Sequence, residues 1–390
     1  MDARLQKVLE RAGDAGEVMA DLDAICDTGG RFAGTESEVA AREYLAKRLQ
    51  EITGKAAERV AIEDTGWVRG EASLEVIANG ETYPCVSLVR SPKTERAGLV
   101  AELLDLGRGT EADFEAHARE IPGKIVMVRH EYMFTTDTVH RRRKYDWAIE
   151  KGAAGFLIAS HLTGDLPVTG SSGATPERGI PAAGISAETA AAISQGGVQE
   201  LKLRIDATTA PRRTENLILD IPGRTDEWVV LSAHIDGHHL SESAMDNGTG
   251  LAAVLNALAA VVPDAKLFQR GLRVGFFTVE EWALAGSAAY VDAMDDAARD
   301  AIKLNINLDS VAGDSEITAL TSGFEKAEAW MLAAAENMGH QLSAHRPLMR
   351  NSDHYNFARH GIPAARLVAG FDNHKSNLTY VVTPADNRDK

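Results

Sequence analysis

Cysteine, long apolar runs and excess positive charge are all scarce in this sequence of 390 residues. Its two cysteines, Cys26 and Cys85, lie far apart and outside any pairing motif, which excludes a disulfide framework and fits a reducing compartment. We see no apolar run of the ~18 residues that a membrane helix needs, and no signal-peptide core at the N-terminus. We therefore expect a cytoplasmic protein without a membrane partner.

Acidic residues outnumber basic ones, 57 to 41, which gives a formal net charge of −16. A surface of that sign repels phosphate groups, so a nucleic-acid partner is not expected. Peptide substrates remain compatible with this charge, and the sequence leaves homo-oligomerisation open. A chain of this length exceeds one compact core and indicates two domains, or one domain with an insertion.

The pattern of predicted elements changes twice along the chain. The first 55 or so residues are helical in pattern, whereas 59–207 contain short strands punctuated by glycine and proline. After residue 214 strands alternate with helices, which predicts an α/β sheet with helices on its faces. We therefore predict a discontinuous domain, 1–58 and 208–390, and an inserted domain, 59–207. The segments NLILDIPG and EWVVLSAHID are predicted to pair as a hairpin.

Acidic and histidine side chains follow three predicted strands of the discontinuous domain. His234 and Asp236 end the first strand, the adjacent pair Glu280 and Glu281 ends the second, and Asp309 ends the third. Ligands of α/β sheets bind at the carboxyl ends of the strands. Two neighbouring buried carboxylates are costly unless a cation compensates them, so the pattern predicts a metal site.

The residue types favour zinc, with manganese or cobalt as alternatives. Two ions ~3.5–4 Å apart need a bridging carboxylate, which Asp246 can supply from the loop before a helix. We expect His234 and Asp309 to bind one ion, and Glu281 with a further histidine to bind the other.

Two acidic residues remain beside these ligands. Glu280, next to a ligand but itself free, is predicted to take a proton from the water held between the two ions. Asp236 lies two residues beyond His234 and is predicted to orient that imidazole.

Six motifs carry a resemblance to a known family: RFAGTESEVAAREYL, AHID, MDNGTG, FFTVEEWALAGS, NLDS and SDHYNFARHGIPAARL. In this order and spacing the sequence resembles the co-catalytic zinc aminopeptidase and glutamate carboxypeptidase family, metallopeptidase family twenty-eight of clan MH, over roughly 20–55 and 214–390. The resemblance implies a mixed central sheet of the zinc-exopeptidase, phosphorylase/hydrolase-like type, flanked by helices. It also implies that 59–207 is a protease-associated domain, a small β-rich α+β insertion.

The same resemblance implies two zinc ions with the ligand roles given above. It breaks at one position, because the last metal ligand of the family is a histidine and Val382 stands there. Either another histidine replaces it, or one metal site is weakened or lost, and two histidines are candidates for the replacement. We prefer His354, in SDH, over His374, in GFDNHKSN, and we assign no role to the histidine pair of GHHLSES, which has the pattern of a solvated loop.

These features predict a metal-dependent exopeptidase, and among exopeptidases an aminopeptidase. A carboxypeptidase, a dipeptidase or an N-acyl amino acid amidohydrolase would use the same centre. A carboxypeptidase would need a positive group for the terminal carboxylate, for which Arg350, Arg359 and Arg366 are available. A non-catalytic binding protein of the transferrin-receptor type is the alternative from another class, although an acidic cluster without its ion would burden stability.

Overall fold

The computed structural model describes residues 3–13, 15–173, 175, 177–195, 197 and 199–390. Positions 1, 2 and 14 of the predicted first domain, and 174, 176, 196 and 198 of the predicted insertion, lie outside the described residues. The helices are α1 (Ala3–Ala12), α2 (Ala15–Cys26), α3 (Glu36–Thr53), α4 (Glu111–Ala116), α5 (Arg141–Glu150), α6 (Ala187–Ile193), α7 (Thr249–Val261), α8 (Glu280–Ala283), α9 (Ala285–Asp292), α10 (Asp296–Ala301), α11 (Glu325–Asn337) and α12 (His354–Ala358).

The strands, also numbered in chain order, are β1 (Glu58–Val76), β2 (Glu81–Tyr83), β3 (Val86–Ser87), β4 (Leu99–Asp105), β5 (Ile125–Arg129), β6 (Gly155–Ala159), β7 (Ala182–Ile185), β8 (Glu200–Ile221), β9 (Trp228–His234), β10 (Gly271–Phe277), β11 (Ile302–Leu308), β12 (Ile317–Leu320), β13 (Ser343–His345) and β14 (Ala364–Ala369). A π-helical turn, Ala244–Gly248, precedes α7, and 3₁₀ turns span Val262–Leu267 and Asn377–Tyr380.

The chain forms two compact units. The first comprises Met1–Asp64, Arg212–Val381 and Asp386–Lys390, and the second comprises Thr65–Pro211 and Val382–Ala385. Both main boundaries fall inside a strand, β1 and β8 respectively. A boundary inside a strand is not marked by the glycine, proline and polar residues of a loop. The two boundaries predicted from the sequence, after residues 58 and 207, therefore lie a few residues before the observed ones.

The first unit is built on a sheet with the strand order β13-β12-β14-β11-β9-β10-β8. β14, β11, β9 and β10 run parallel to one another, whereas β12 pairs antiparallel with β14 and β8 antiparallel with β10. The predicted α/β fold with a mixed central sheet and flanking helices is thus confirmed. The predicted hairpin is wrong, because β10 lies between β8 and β9. The helix α7 provides the crossover that two parallel neighbours such as β9 and β10 require.

The core of this unit lies between α7, two N-terminal helices and the sheet. α7 contacts α2 most extensively and also packs on α1 and β9, and its inward face is fully buried. Each such aliphatic side chain contributes about 1.5–3 kcal/mol when buried. The buried residues of α2, α3 and α7 in this core include Leu22, Ile25, Ala41, Leu45, Leu49, Leu251, Val254, Leu255 and Leu258.

The helical stretch Ala244–Leu267 contains α7 and is long and apolar enough, by length and composition alone, to cross a membrane. The expectation that the chain has no apolar run of membrane-spanning length is therefore wrong. A stretch of 18 residues can include up to two charged side chains and still be apolar enough to span a membrane. A core helix of a folded domain passes the same test, and the burial of α7 among the residues above is the packing of a core helix.

The second unit has its own sheet, in the order β8-β4-β5-β6-β7-β3, with β2 pairing to β1 and β1 to β8. The strands β4, β5, β6 and β7 are parallel neighbours. Apolar side chains of β5 and β6 are buried on both faces, as expected of parallel strands. Its separate core includes Ile125, Met127, Leu157 and Ala183.

Candidate metal site

The predicted ligands converge because three parallel strands end at one edge of the first unit's sheet. His234 is the last residue of β9 and is in register with Phe277, the last residue of β10. Glu280 and Glu281 open α8 shortly after β10, and Asp309 directly follows β11, the other neighbour of β9. Strand order and register therefore place all of these side chains together.

The spacing of the donor atoms suits a metal ion. His234 Nε2 lies 3.1 Å from Asp246 Oδ1 and 3.6 Å from Asp309 Oδ1. Ligands bound at 2.0–2.2 Å on a tetrahedral zinc are about 3.3 Å apart, which matches both distances. Two groups of donors have their ligand atoms within 4.8 Å of one another: His234 with Asp246 and Glu281, and His234 with Glu280 and Asp309.

The imidazole of His234 is oriented by a backbone oxygen. Its Nδ1 lies 2.9 Å from the carbonyl oxygen of Asp236, which can only accept, so Nδ1 carries the hydrogen and Nε2 faces the carboxylates. The Asp236 carboxylate, predicted for this role, is 3.9 Å from Nδ1. It accepts the backbone N–H groups of Glu280 (3.0 Å) and Glu281 (3.2 Å) instead. Asp236 therefore fixes the glutamate pair with its side chain and the histidine with its backbone.

The site carries an excess of buried negative charge. Burial, together with neighbouring carboxylates, raises the pKa of Glu280 and of Glu281 well above the ordinary value. Burial opposes protonation of His234, but Glu280, Asp246 and Asp309 outweigh it and raise the pKa of the imidazole. A divalent cation would compensate these buried negative charges and favour the ionised forms of the two glutamates.

Asp309 is the exception among these acids because a buried arginine faces it. Burial acts to raise its pKa, but Arg366 and His234 lower the pKa overall. Arg366 Nη2 lies 3.1 Å from Asp309 Oδ1, and the Ser352 hydroxyl donates to Asp309 Oδ2 at 2.5 Å. Asp309 is therefore held as a carboxylate in a fixed orientation.

The loop that carries Asp246 is fixed by two residues without a predicted role. The Asp386 carboxylate accepts the backbone N–H groups of Met245 (2.8 Å) and Asp246 (3.3 Å). The buried Arg31 guanidinium donates to the carbonyl oxygens of Ile235 (3.0 Å), Glu242 (2.6 Å) and Ser243 (2.6 Å). Both residues lie in segments that resemble the family, but contacts across 140 to 212 residues leave no local signal.

The two histidines proposed to replace residue 382 do not join the described donor groups. His354 opens α12 and is fully buried, and within the described residues neither of its ring nitrogens has a hydrogen-bond partner. Burial and the nearby Arg366 lower the pKa of His354 to about 3. His374 is exposed on a turn. Their predicted part in metal binding thus finds no geometric support among the donors brought together here.

The histidine pair in GHHLSES has two different environments. His238 is 3% exposed, and its Nε2 lies 2.6 Å from Oε2 of Glu281. His239 is exposed and packs edge-on against Phe32 at a centroid distance of 4.8 Å. The prediction of a solvated loop is therefore wrong for His238, because distant parts of the chain cover a segment whose own residues are polar.

Two family models match separate parts of the chain. The model of peptidase family M28 matches residues 216–390, and the model of the PA domain matches residues 82–193. The first lies within the predicted discontinuous domain and the second within the predicted insertion. The resemblance drawn from the six motifs is thereby confirmed.

Curated relatives and a solved structure add to these matches. A protein named "Probable leucine aminopeptidase 2" from Aspergillus fumigatus is 28% identical over 326 residues, which cover 78% of this chain and 61% of that protein. Aminopeptidase YwaD of Bacillus subtilis is 27% identical over 367 residues, covering 92% and 76% respectively. The chain thus spans 61% of the length of the first relative.

The solved structure of BSAP, a zinc aminopeptidase from Bacillus subtilis, superposes with a TM-score of 0.73 at 24% identity. The superposition covers 95% of this chain and 89% of that chain. Likeness at this level of identity shows that the two proteins share a fold.

Proposed function

The chain carries a peptidase family M28 domain at residues 216–390 with a PA domain before it, and from this we propose that it is a metal-dependent aminopeptidase. Its substrates would be peptides, from which it removes N-terminal residues. The names of the relatives, leucine aminopeptidase and zinc aminopeptidase, support this choice among exopeptidases. The observation that carries it is the placement of Glu280 beside the donors His234 and Asp309.

We propose zinc as the metal, in two positions. His234 and Asp309 would hold one ion, Glu281 would hold the other, and Asp246 would lie between them. Imidazole and carboxylate oxygen are donors that zinc accepts at these separations. When bound, the two ions would lower the pKa of the attacking water and polarise the scissile carbonyl.

Glu280 then acts as the general base. Its carboxylate takes the proton of the attacking water and returns it to the leaving amine. Burial raises the pKa of Glu280, which moves it in the direction that a base working near neutral pH requires. Asp236 holds the backbone N–H of Glu280 and thereby keeps this side chain at the strand end.

The three arginines that could bind the terminal carboxylate of a carboxypeptidase substrate are already engaged within the chain, which favours the aminopeptidase assignment. Arg366 is buried against Asp309, and Arg359 lies 2.5 Å from the carboxylate of Asp292. Arg350 lies over the ring of Tyr355 at 5.6 Å. Two of the three guanidinium groups are thus paired with carboxylates of the protein itself, and would have to exchange them for the terminal carboxylate of a substrate.

The test uses the Glu280→Gln variant, zinc-loaded, with leucine p-nitroanilide as substrate. We expect zinc content to stay at the wild-type level while turnover falls by at least ~10²-fold, the lower end for general acid–base catalysis. N-acetyl-leucine p-nitroanilide is the substrate control and should not be cleaved by either protein. Equal turnover of wild type and variant would refute the role of Glu280, and absence of turnover in zinc-loaded wild type would favour a binding protein.

We further propose a cytoplasmic location, as expected from the sequence. Cys26 and Cys85 are both free and buried, which suits a reducing compartment. Fractionation of cells that produce the protein tests the location, and a secreted product with modified thiols would contradict it.

A further inference from the structure

We propose that His238 is the histidine ligand of the second metal ion, the ion held by Glu281. The proposal rests on the metal-dependent function proposed above and assigns a ligand that neither the motifs nor the comparisons supply. It replaces the earlier preference for His354.

The second ion lacks a nitrogen donor in the expected place. Residue 382 is a valine, whose aliphatic side chain has no lone pair. The remaining donors, Glu281 and the shared Asp246, are both carboxylates, and sites of this kind normally include imidazole. A replacement must reach Glu281 with a ring nitrogen and lie in a buried environment.

His238 meets both conditions. Its Nε2 lies 2.6 Å from Glu281 Oε2, and both side chains are more than nine-tenths buried, at 3% and 7% exposed. The distance is that of a hydrogen bond between the imidazole and the carboxylate, which needs a proton on one of the two atoms. A divalent ion that replaces this proton needs the two atoms about 3.3 Å apart, a shift of less than 1 Å.

The backbone of His238 is fixed at both polar groups. Its N–H donates to the hydroxyl oxygen of Ser243 at 2.8 Å, and this hydroxyl donates to the carbonyl of His238 at 2.9 Å. The preceding residue, Gly237, donates its N–H to the carbonyl of Arg31 at 3.1 Å. The Arg31 guanidinium also donates to the carbonyl of Ser243, so Arg31 holds one end of the segment with its backbone carbonyl and the other with its side chain. Such second-sphere support is typical of residues that must present a ligand atom accurately.

The experiment measures zinc stoichiometry and zinc affinity on the full chain, by elemental analysis and by competition with a chromogenic chelator. His238→Ala is compared with His239→Ala, the exposed neighbour, and with His354→Ala. His238→Gln is the decisive variant, because glutamine can still donate a hydrogen bond to Glu281 but is a poor zinc ligand. Thermal unfolding of each variant in chelator shows that it is folded.

We expect His238→Ala and His238→Gln to lose one of two zinc ions, or to bind the weaker ion more than ~100-fold less tightly, since even outer-shell changes cost 10–100-fold. His239→Ala and His354→Ala should retain both ions. Two ions held at wild-type affinity in His238→Gln would overturn the proposal, and so would loss of an ion in His354→Ala alone. The proposed function fails separately, if zinc-loaded wild type does not cleave leucine p-nitroanilide.

Discussion

Replacing Arg31 by methionine should loosen the whole loop that carries the metal ligands. Arg31 is fully buried and donates to the backbone carbonyls of Ile235, Glu242 and Ser243. These three residues lie within the segment that connects His234 to Asp246. Methionine fills a similar length of apolar space but donates nothing. The change therefore removes the hydrogen bonds and leaves the packing largely intact.

The magnitude follows from the carbonyl groups left behind. Ser243 O keeps a second donor, the N–H of Gly248 at 3.1 Å, so its loss is small. The carbonyls of Ile235 and Glu242 each lose the guanidinium, and a buried acceptor without its partner costs about 1–3 kcal/mol. The bond to Ile235 is buried and the bond to Glu242 is half-buried, so the cost at Glu242 lies near the lower value. We therefore expect a loss of about 2–4 kcal/mol in the free energy of unfolding, from a total that is typically 5–15 kcal/mol.

Urea denaturation at neutral pH, with chelator and with zinc, measures this loss. Arg59→Met is the matched control, because Arg59 pairs with Glu43 at the surface and should change stability by about 1 kcal/mol or less. Zinc affinity of Arg31→Met should fall at least ~10-fold, as for other residues that support metal ligands. A loss below 1 kcal/mol with unchanged zinc affinity would refute the view that Arg31 organises this loop.

Three further outcomes are expected. In chelator, wild type should lose roughly 2 kcal/mol of stability relative to Asp386→Asn as pH rises from 5 to 7, because burial raises the pKa of Asp386 to about 7 and only the folded chain keeps that proton over most of this range. A difference that stays constant with pH in paired denaturation curves would contradict this. Zinc should raise the melting temperature of chelator-treated protein and chelator should lower it again, whereas magnesium should do neither; calorimetric curves that coincide would exclude a resident zinc site. Gly30→Ala should weaken zinc binding, because the added Cβ would lie 2.4 Å from the carbonyl oxygen of His238. Gly80→Ala is the control for backbone strain, because no atom outside its chain neighbours lies within 4 Å of its added Cβ. Equal zinc affinity in the two variants would contradict a role for the close approach at Gly30.

The site residues at the strand ends could be predicted, because a short stretch of sequence is enough to recognise each one. His234, Glu280 and Asp309 each follow an apolar run, and parallel strands bring such positions to one edge. The pairing of β8 could not be predicted in the same way. Because β8 and β9 are close in the chain, the sequence favoured a hairpin between them. In the structure β10 lies between β8 and β9, and only tertiary packing decides which strand pairs with β8.

The environment of His238 could not be predicted either. Its neighbours GHHLSES are polar, so the local pattern indicated solvent. The burial comes from Arg31 and the N-terminal segment, some 200 residues away, and from the hydroxyl of Ser243. His354 shows the converse case, since its position in a family motif suggested a ligand while the fold surrounds it without a polar partner among the described residues.

The contact between Asp386 and the Asp246 loop also sets a time order for biosynthesis. The two residues are 140 positions apart, and Arg388 reaches back to Glu242 over 146 positions. While the ribosome is still adding residues before 386, the backbone N–H groups of Met245 and Asp246 have no Asp386 to receive them. The loop that carries Asp246 therefore gains these two hydrogen bonds only after residue 386 has been added to the chain.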